Sequence, residues 1–262
     1  MQFDIPNRFS AEGAALEYFA ITMTWIKICG TTNLADAQLA VEAGADALGF
    51  VFYEKSPRYI DPEAARKIVE QLPENIEKVG VFVDSDDPGW GAIVNDVRLT
   101  AVQVHMPPDP AQARSTPPTL SAYCFGRPID VYPSFPFSRF KNGVTFSAGP
   151  EFNVEPRRSK YVPKNIPGPL RIFLDSGTSE TPGGTGKTFD WEKALSLTEQ
   201  LRKAYDIVIA GGLTPNNVKQ AISKFHPFGV DVVSGVEARP GKKDPEKVRA
   251  FIEAVRQADK SA

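Results

Sequence analysis

The chain lacks most of the features that would assign it to an easy class. Among its 262 residues there are only two cysteines, Cys29 and Cys124. They lie too far apart for a metal-ligand pattern, so no metal is expected. They are also too few for a disulfide framework, which points to a reducing compartment and a cytoplasmic protein. Charge of neither sign is in excess: 30 Lys and Arg face 32 Asp and Glu. No electrostatic footprint for nucleic acid or an anionic membrane is present. No apolar run approaches the roughly 20 residues of a membrane span. A secretory leader is not expected either, because Asp4, Glu12 and Glu17 stand where such a leader carries positive charge. Residues 1–24 are read as an extension outside the domain and dispensable to it, with one weak amphipathic helix over Ala11–Ile21.

What the chain does have, from Trp25 onward, is an alternation of short apolar runs with amphipathic helical patterns. Strands are expected at Trp25–Cys29, Ala47–Phe52, Val79–Val83, Ala101–His105, Ile129–Tyr132, Arg171–Asp175, Ile207–Ala210 and Val230–Val233. Helices are expected at Asn33–Ala43, Asp61–Leu72, Trp90–Asp96, Trp191–Lys203, Asn216–Ser223 and Pro245–Ala258. Asp61 before Pro62 is a helix-start signal, since the carboxylate caps free amides and proline needs no donor at the first position. Eight strand slots in β–α alternation, several of them continuously apolar, predict a single-domain (β/α)8 TIM barrel over residues 25–258. The fifth unit is irregular: residues 133–169 are rich in proline and read as an excursion, with a hairpin at Asn142-Gly143 and a tail at 259–262.

In such a barrel the loops after the strands build the active site. Cys29 ends the first strand, Asp175 the sixth, Gly211-Gly212 the seventh and Ser234-Gly235 the eighth. Lys27 and Cys29 share one strand face, and a cation near a thiol favours the thiolate that a base needs. Taken alone, the segment sooner reads as packing, with Cys29 a small buried apolar residue and Lys27 a snorkelling edge residue. Asp175 suits a general acid, or a helix cap. Arg58 can clamp a carboxylate bidentately, or sit on the surface. Gly211, Gly212, Ser234 and Gly235 suit a phosphate site, because backbone amides without a Cβ approach an anion closely at a helix N-terminus. Gly183, Gly184 and Gly186 lack P-loop spacing and read as a mobile lid, or as a flexible surface loop. Gln103 and His105 share a face of the fourth strand; His105 and Asp231 are candidates for buried structural groups.

These motifs together resemble the phosphoribosylanthranilate isomerase family. The matching segments are Lys27-Ile28-Cys29-Gly30, Leu48–Phe52 with Ser56–Ile60, Val79–Val83, Gln103-Val104-His105, Leu174-Asp175, Gly183–Trp191, Ala210–Leu213 and Ser234–Glu237. The likeness spans residues 25–105 and 171–258. It implies an Amadori rearrangement in tryptophan biosynthesis without a cofactor, with Cys29 as general base and Asp175 as general acid. It further implies that Arg58, Gln103, Gly183, Gly184, Gly186, Gly211, Gly212, Ser234 and Gly235 contact a small phosphorylated substrate, in a monomer or homodimer. Two positions depart from the family pattern: Met106 replaces a glycine, and Val233 replaces a serine. The histidine-pathway barrel that performs the same rearrangement is the alternative enzyme, although its first strand ends in Asp rather than Cys. A non-catalytic phosphometabolite-binding barrel is the alternative outside enzymes.

Overall fold

The computed structural model describes residues 23–83, 90–105, 121–124, 127–137, 170–176, 190–203 and 205–261. Its strands are β1 Trp25–Cys29, β2 Ala47–Val51, β3 Glu77–Val83, β4 Ala101–His105, β5 Ser121–Cys124, β6 Arg127–Pro136, β7 Leu170–Asp175, β8 Tyr205–Ile209, β9 Gly229–Val232, β10 Glu237–Arg239 and β11 Lys242–Lys243. The helices are α1 Leu34–Ala43, α2 Pro62–Val69, α3 Trp90–Val97, α4 Trp191–Leu201, α5 Val218–Phe225 and α6 Pro245–Asp259. Strands β1, β2, β3, β4, β6, β7, β8 and β9 pair in parallel, each with the next, and β9 returns to β1. The sheet is therefore a closed eight-stranded barrel, as the alternation predicts.

Local chemistry sets the helix ends. Asp61 caps α2 by accepting from the amides of Glu63 at 3.0 Å and Ala64 at 3.2 Å. Asn33 caps α1 through the Asp36 amide, and the helix stops where Gly44 turns left-handed at φ 103°. Helix α5 begins at Val218, two residues later than its pattern predicts. Asn217 closes a turn ahead of the helix instead, accepting from Thr214 N at 2.8 Å and donating to Gly212 O at 3.0 Å.

The fifth unit corrects two expectations. The excursion read as beginning at Pro133 begins later, because β6 runs on through Pro136, pairing with β4 and then with β7. Prolines remove ladder donors, which is why the sequence pattern ends the strand early. Cys124, outside every expected strand and helix, lies in β5, which folds back antiparallel on the first half of β6. The Asn142-Gly143 hairpin, Met106 and residues 1–22 fall outside the described residues.

Each strand divides its side chains between two environments. Outward residues such as Ile26, Ile28, Leu48, Phe50, Val102, Leu174, Ile209 and Val232 are buried under the helices in one aliphatic core. Burying each such side chain stabilises the fold by about 1.5–3 kcal/mol. Inward residues stack in tiers drawn from alternate strands. Following the strand pairings, one tier holds Lys27, Val79, Tyr132 and Val208; the next holds Gly49, Gln103, Phe173 and Asp231. Above them come Cys29, Val81, Ser134 and Ala210, and then Val51, His105, Asp175 and Val233 at the mouth. The lower tiers are filled by Ala47, Val79, Ala101, Tyr132, Phe173 and Val208. At the barrel's lower end Arg171 pairs with Glu77 at 3.1 Å and lies 4.4 Å from the rings of Trp25 and Phe228.

Candidate active site

Cys29 and Asp175 occupy the two uppermost tiers, on the first and sixth strands of the barrel. Both are almost fully buried, at 4 % and 5 % exposure. Asp231 lies close enough to act electrostatically on each of them. Below the thiol, Lys27 Nζ donates to Gln103 Oε1 at 2.7 Å and to Asp231 Oδ1 at 2.9 Å, close enough to Cys29 for each to act on the other's charge. Gly49 makes this crossing possible. A Cβ at that position would stand 2.5 Å from Cys29 Sγ and 3.0 Å from Lys27 Cε.

Electrostatics here differ from the simple expectation of a depressed thiol pKa. Burial dominates and pushes the Cys29 thiol above its ordinary value, while Lys27 pulls it back. Burial pulls the Lys27 pKa down, but Asp231 and the Cys29 sulfur together hold it above the usual ammonium value. His105, at the rim, is pushed down to about 4 by burial and by the charge of Lys27. It is neutral at physiological pH and can accept or donate a hydrogen bond without carrying charge.

Arg58 sits after β2, where its Nε and Nη2 donate to Glu237, the latter at 2.8 Å. Glu237 also accepts from the Gly241 amide and from Lys243. Burial works against the Glu237 carboxylate, but the Arg58 hydrogen bond and the Lys243 charge carry its pKa below the usual range. Glu237 is thus the ion-pair partner of Arg58, a residue that motif reading quotes without giving it a task. Its distance from Arg58 in sequence, 179 residues, hides the pair.

The glycine loops after β8 and β9 touch each other. Gly211 and Gly212 both take left-handed backbone angles, φ 83° and 67°. A Cβ on Gly211 would stand 2.6 Å from Asp175 Oδ1 and 2.5 Å from the Ser176 amide, so this loop is pressed against the acid. Gly235 abuts the Leu213 carbonyl, and Ser234 opens a single 3-10 turn. The two loops present backbone amides and the start of α5 to one side of the mouth, an arrangement able to receive an anion. Gln103 is 1 % exposed with its oxygen turned to Lys27. Gly183, Gly184 and Gly186 lie outside the described residues. Among the described residues no cluster of His, Cys, Asp and Glu could hold a metal, and no helix is long and apolar enough to cross a membrane.

A family model for N-(5'-phosphoribosyl)anthranilate (PRA) isomerase matches residues 26–124 and 164–254. The chain belongs to the phosphoribosylanthranilate isomerase family. The N-(5'-phosphoribosyl)anthranilate isomerase of Geobacter sp. strain M21 is 43 % identical over 230 residues, covering 88 % of this chain and 97 % of the relative. Among solved structures, the phosphoribosyl anthranilate isomerase of Thermotoga maritima superposes with TM-score 0.66 at 36 % identity, covering 90 % of this chain and all of that one. A phosphoribosyl anthranilate isomerase solved with reduced 1-(o-carboxyphenylamino)-1-deoxyribulose 5-phosphate superposes with TM-score 0.64 at 34 % identity, again over 90 % of this chain and 100 % of its own. These relatives are isomerases on TIM barrels, and the barrel described above is of the same kind.

Proposed function

We propose that this chain converts N-(5'-phosphoribosyl)anthranilate to 1-(2-carboxyphenylamino)-1-deoxyribulose 5-phosphate in tryptophan biosynthesis, with Cys29 as general base and Asp175 as general acid. The observation that carries the assignment is a buried thiol and a buried carboxyl in adjacent tiers at the top of the barrel, with Asp231 acting on both. Asp175 protonates the ribose ring oxygen as the C1'–O bond breaks. The anilino nitrogen supplies the electron pair, leaving an open-chain iminium. The Cys29 thiolate then removes the proton on C2', and the enolamine formed tautomerises to the ketose.

Binding contacts follow the same geometry. Arg58, steadied by Glu237, receives the anthranilate carboxylate. Gly211, Gly212, Ser234 and Gly235 receive the phosphate. Gly183, Gly184 and Gly186 belong to the loop expected to close over the substrate. The relative crystallised with a reduced form of the product supports this choice of ligand.

The test is disappearance of substrate fluorescence with purified protein beside Cys29→Ala and Asp175→Asn. Loss of turnover in both variants, with product affinity kept within a few-fold, is the expected result. Equal rates in all three proteins would leave only a phosphometabolite-binding barrel.

A further inference from the structure

The ammonium beneath the thiol takes no part in the proton transfers just described, yet it is among the largest fully buried side chains of the chain. Burying an ion costs several kcal/mol even after relaxation, and a well-packed apolar residue would fill the space more cheaply. An ammonium has three donors. Asp231 and Gln103 occupy two of them at 2.9 and 2.7 Å, and the Cys29 sulfur and the lysine's own Cε border the same space over Gly49. The Lys27 side chain reaches this position only because the neighbouring place in the next tier is Gly49. Ion pair, amide and glycine together aim one positive charge upward at sulfur.

We propose that Lys27 is a positioning residue that serves as counter-ion to the Cys29 thiolate, anchored from below by Asp231 and Gln103. The proposal rests on Cys29 being the base. It supplies what that reading needs, since a buried thiol beside an incoming phosphate and carboxylate has every reason to keep its proton. Other charged or titratable groups face the same volume: His105 from β4, Asp175 from β7, Asp231 from β9, and Lys243 from β11. Lys243 donates to the Cys29 carbonyl at 2.6 Å and, like Lys27, favours the thiolate; Asp231 opposes it. His105 is uncharged at neutral pH and adds nothing until strongly acidic conditions.

Two substitutions on opposite sides of one ion pair give opposite outcomes. Lys27→Met removes the counter-ion, and the inflection of Cys29 ionisation moves up by about one pH unit or more, a tenfold loss of thiolate at a given pH. Asp231→Asn removes the opposing carboxylate, and with the Cys29 thiolate left to hold the Lys27 proton the inflection moves down. The ionisation is read by thiolate absorbance in the ultraviolet and by the pH profile of Cys29 alkylation, followed by mass spectrometry of the Cys29 peptide. A merely structural ion pair predicts shifts of the same sign or none, and either result overturns the proposal. If Lys27→Met does not fold, Asp231→Asn decides alone: an unchanged or raised inflection overturns it. The underlying assignment is tested separately, because a fully active Cys29→Ala would remove the base without altering these titrations.

Discussion

The two ends of the barrel both bury charge, and they use it differently. At the lower end Arg171 is largely enclosed: Glu77 takes Nη1 at 3.1 Å, and the rings of Trp25, Phe228 and Tyr132 lie 4.4, 4.4 and 4.8 Å from the guanidinium carbon. Tyr132 donates to the same Glu77, and burial raises its pKa well above the usual phenol value. That charge is held by stacking and pairing. Toward the mouth, Lys27 is paired just as closely, but the second tier above it holds a thiol, and the third a carboxyl. Charge held by stacking and pairing serves cohesion; charge directed at an ionisable neighbour serves reactivity.

Substitutions at the mouth and at the base should separate along this line. Cys29→Ala should lower kcat by about 10²–10⁴-fold, the usual contribution of a positioned base, with unfolding by urea little changed. A barrel that unfolds readily yet turns over normally in this variant would erase the distinction. Arg171→Met should do the reverse: stability falls by about 2–3 kcal/mol, discounted because the pair is partly exposed, while KM of the folded protein stays the same. Denaturant titration beside steady-state kinetics checks both halves.

A smaller effect should follow from Gly211→Ala. The added methyl group meets Ser176 and Asp175 at less than van der Waals distance and occupies a left-handed backbone position. Activity should fall about tenfold or more through displacement of Asp175, with about 1 kcal/mol of lost stability. An unchanged kcat would show that the Gly211 loop does not hold the acid in place.

The smallest effect is a pH dependence at the rim. The folded pKa of His105, about 4, lies below the unfolded value of about 6.5. Its contribution to stability is therefore complete above pH 6.5 and is lost as pH falls through about 4, where the unfolded chain has already bound the proton. His105→Gln should remove about 1–2 kcal/mol of this acid-induced loss, the solvent-facing rim reducing the full amount. Identical acid unfolding of both proteins would place His105 outside the charged network.

Much of the fold was legible because parallel barrel strands are apolar on both faces and their helices carry local start and stop signals. Asp61-Pro62 and Gly44 mark helix boundaries through contacts within a few residues, so the pattern locates them. Strand β6 was harder: Pro133 and Pro136 look like interruptions, and only pairing with β4 and β7 keeps them in the ladder. Candidate site positions could be read as strand-end residues. Their electrostatic surroundings could not. A lysine next to a cysteine suggests a lowered thiol pKa, whereas burial proves the larger influence and raises it.

Sequence alone determined the β–α alternation, the division of each strand into inward and outward faces, and the placing of Cys29, Asp175 and the glycine pairs at strand ends. These depend on side-chain period and on neighbours a few residues away. Tertiary structure alone decided the company each group keeps. Lys27 meets Gln103 across 76 residues and Asp231 across 204, and Arg58 meets Glu237 across 179. Such pairs exist only because β9 closes on β1, and no local preference encodes which distant side chain that closure brings within hydrogen-bonding range.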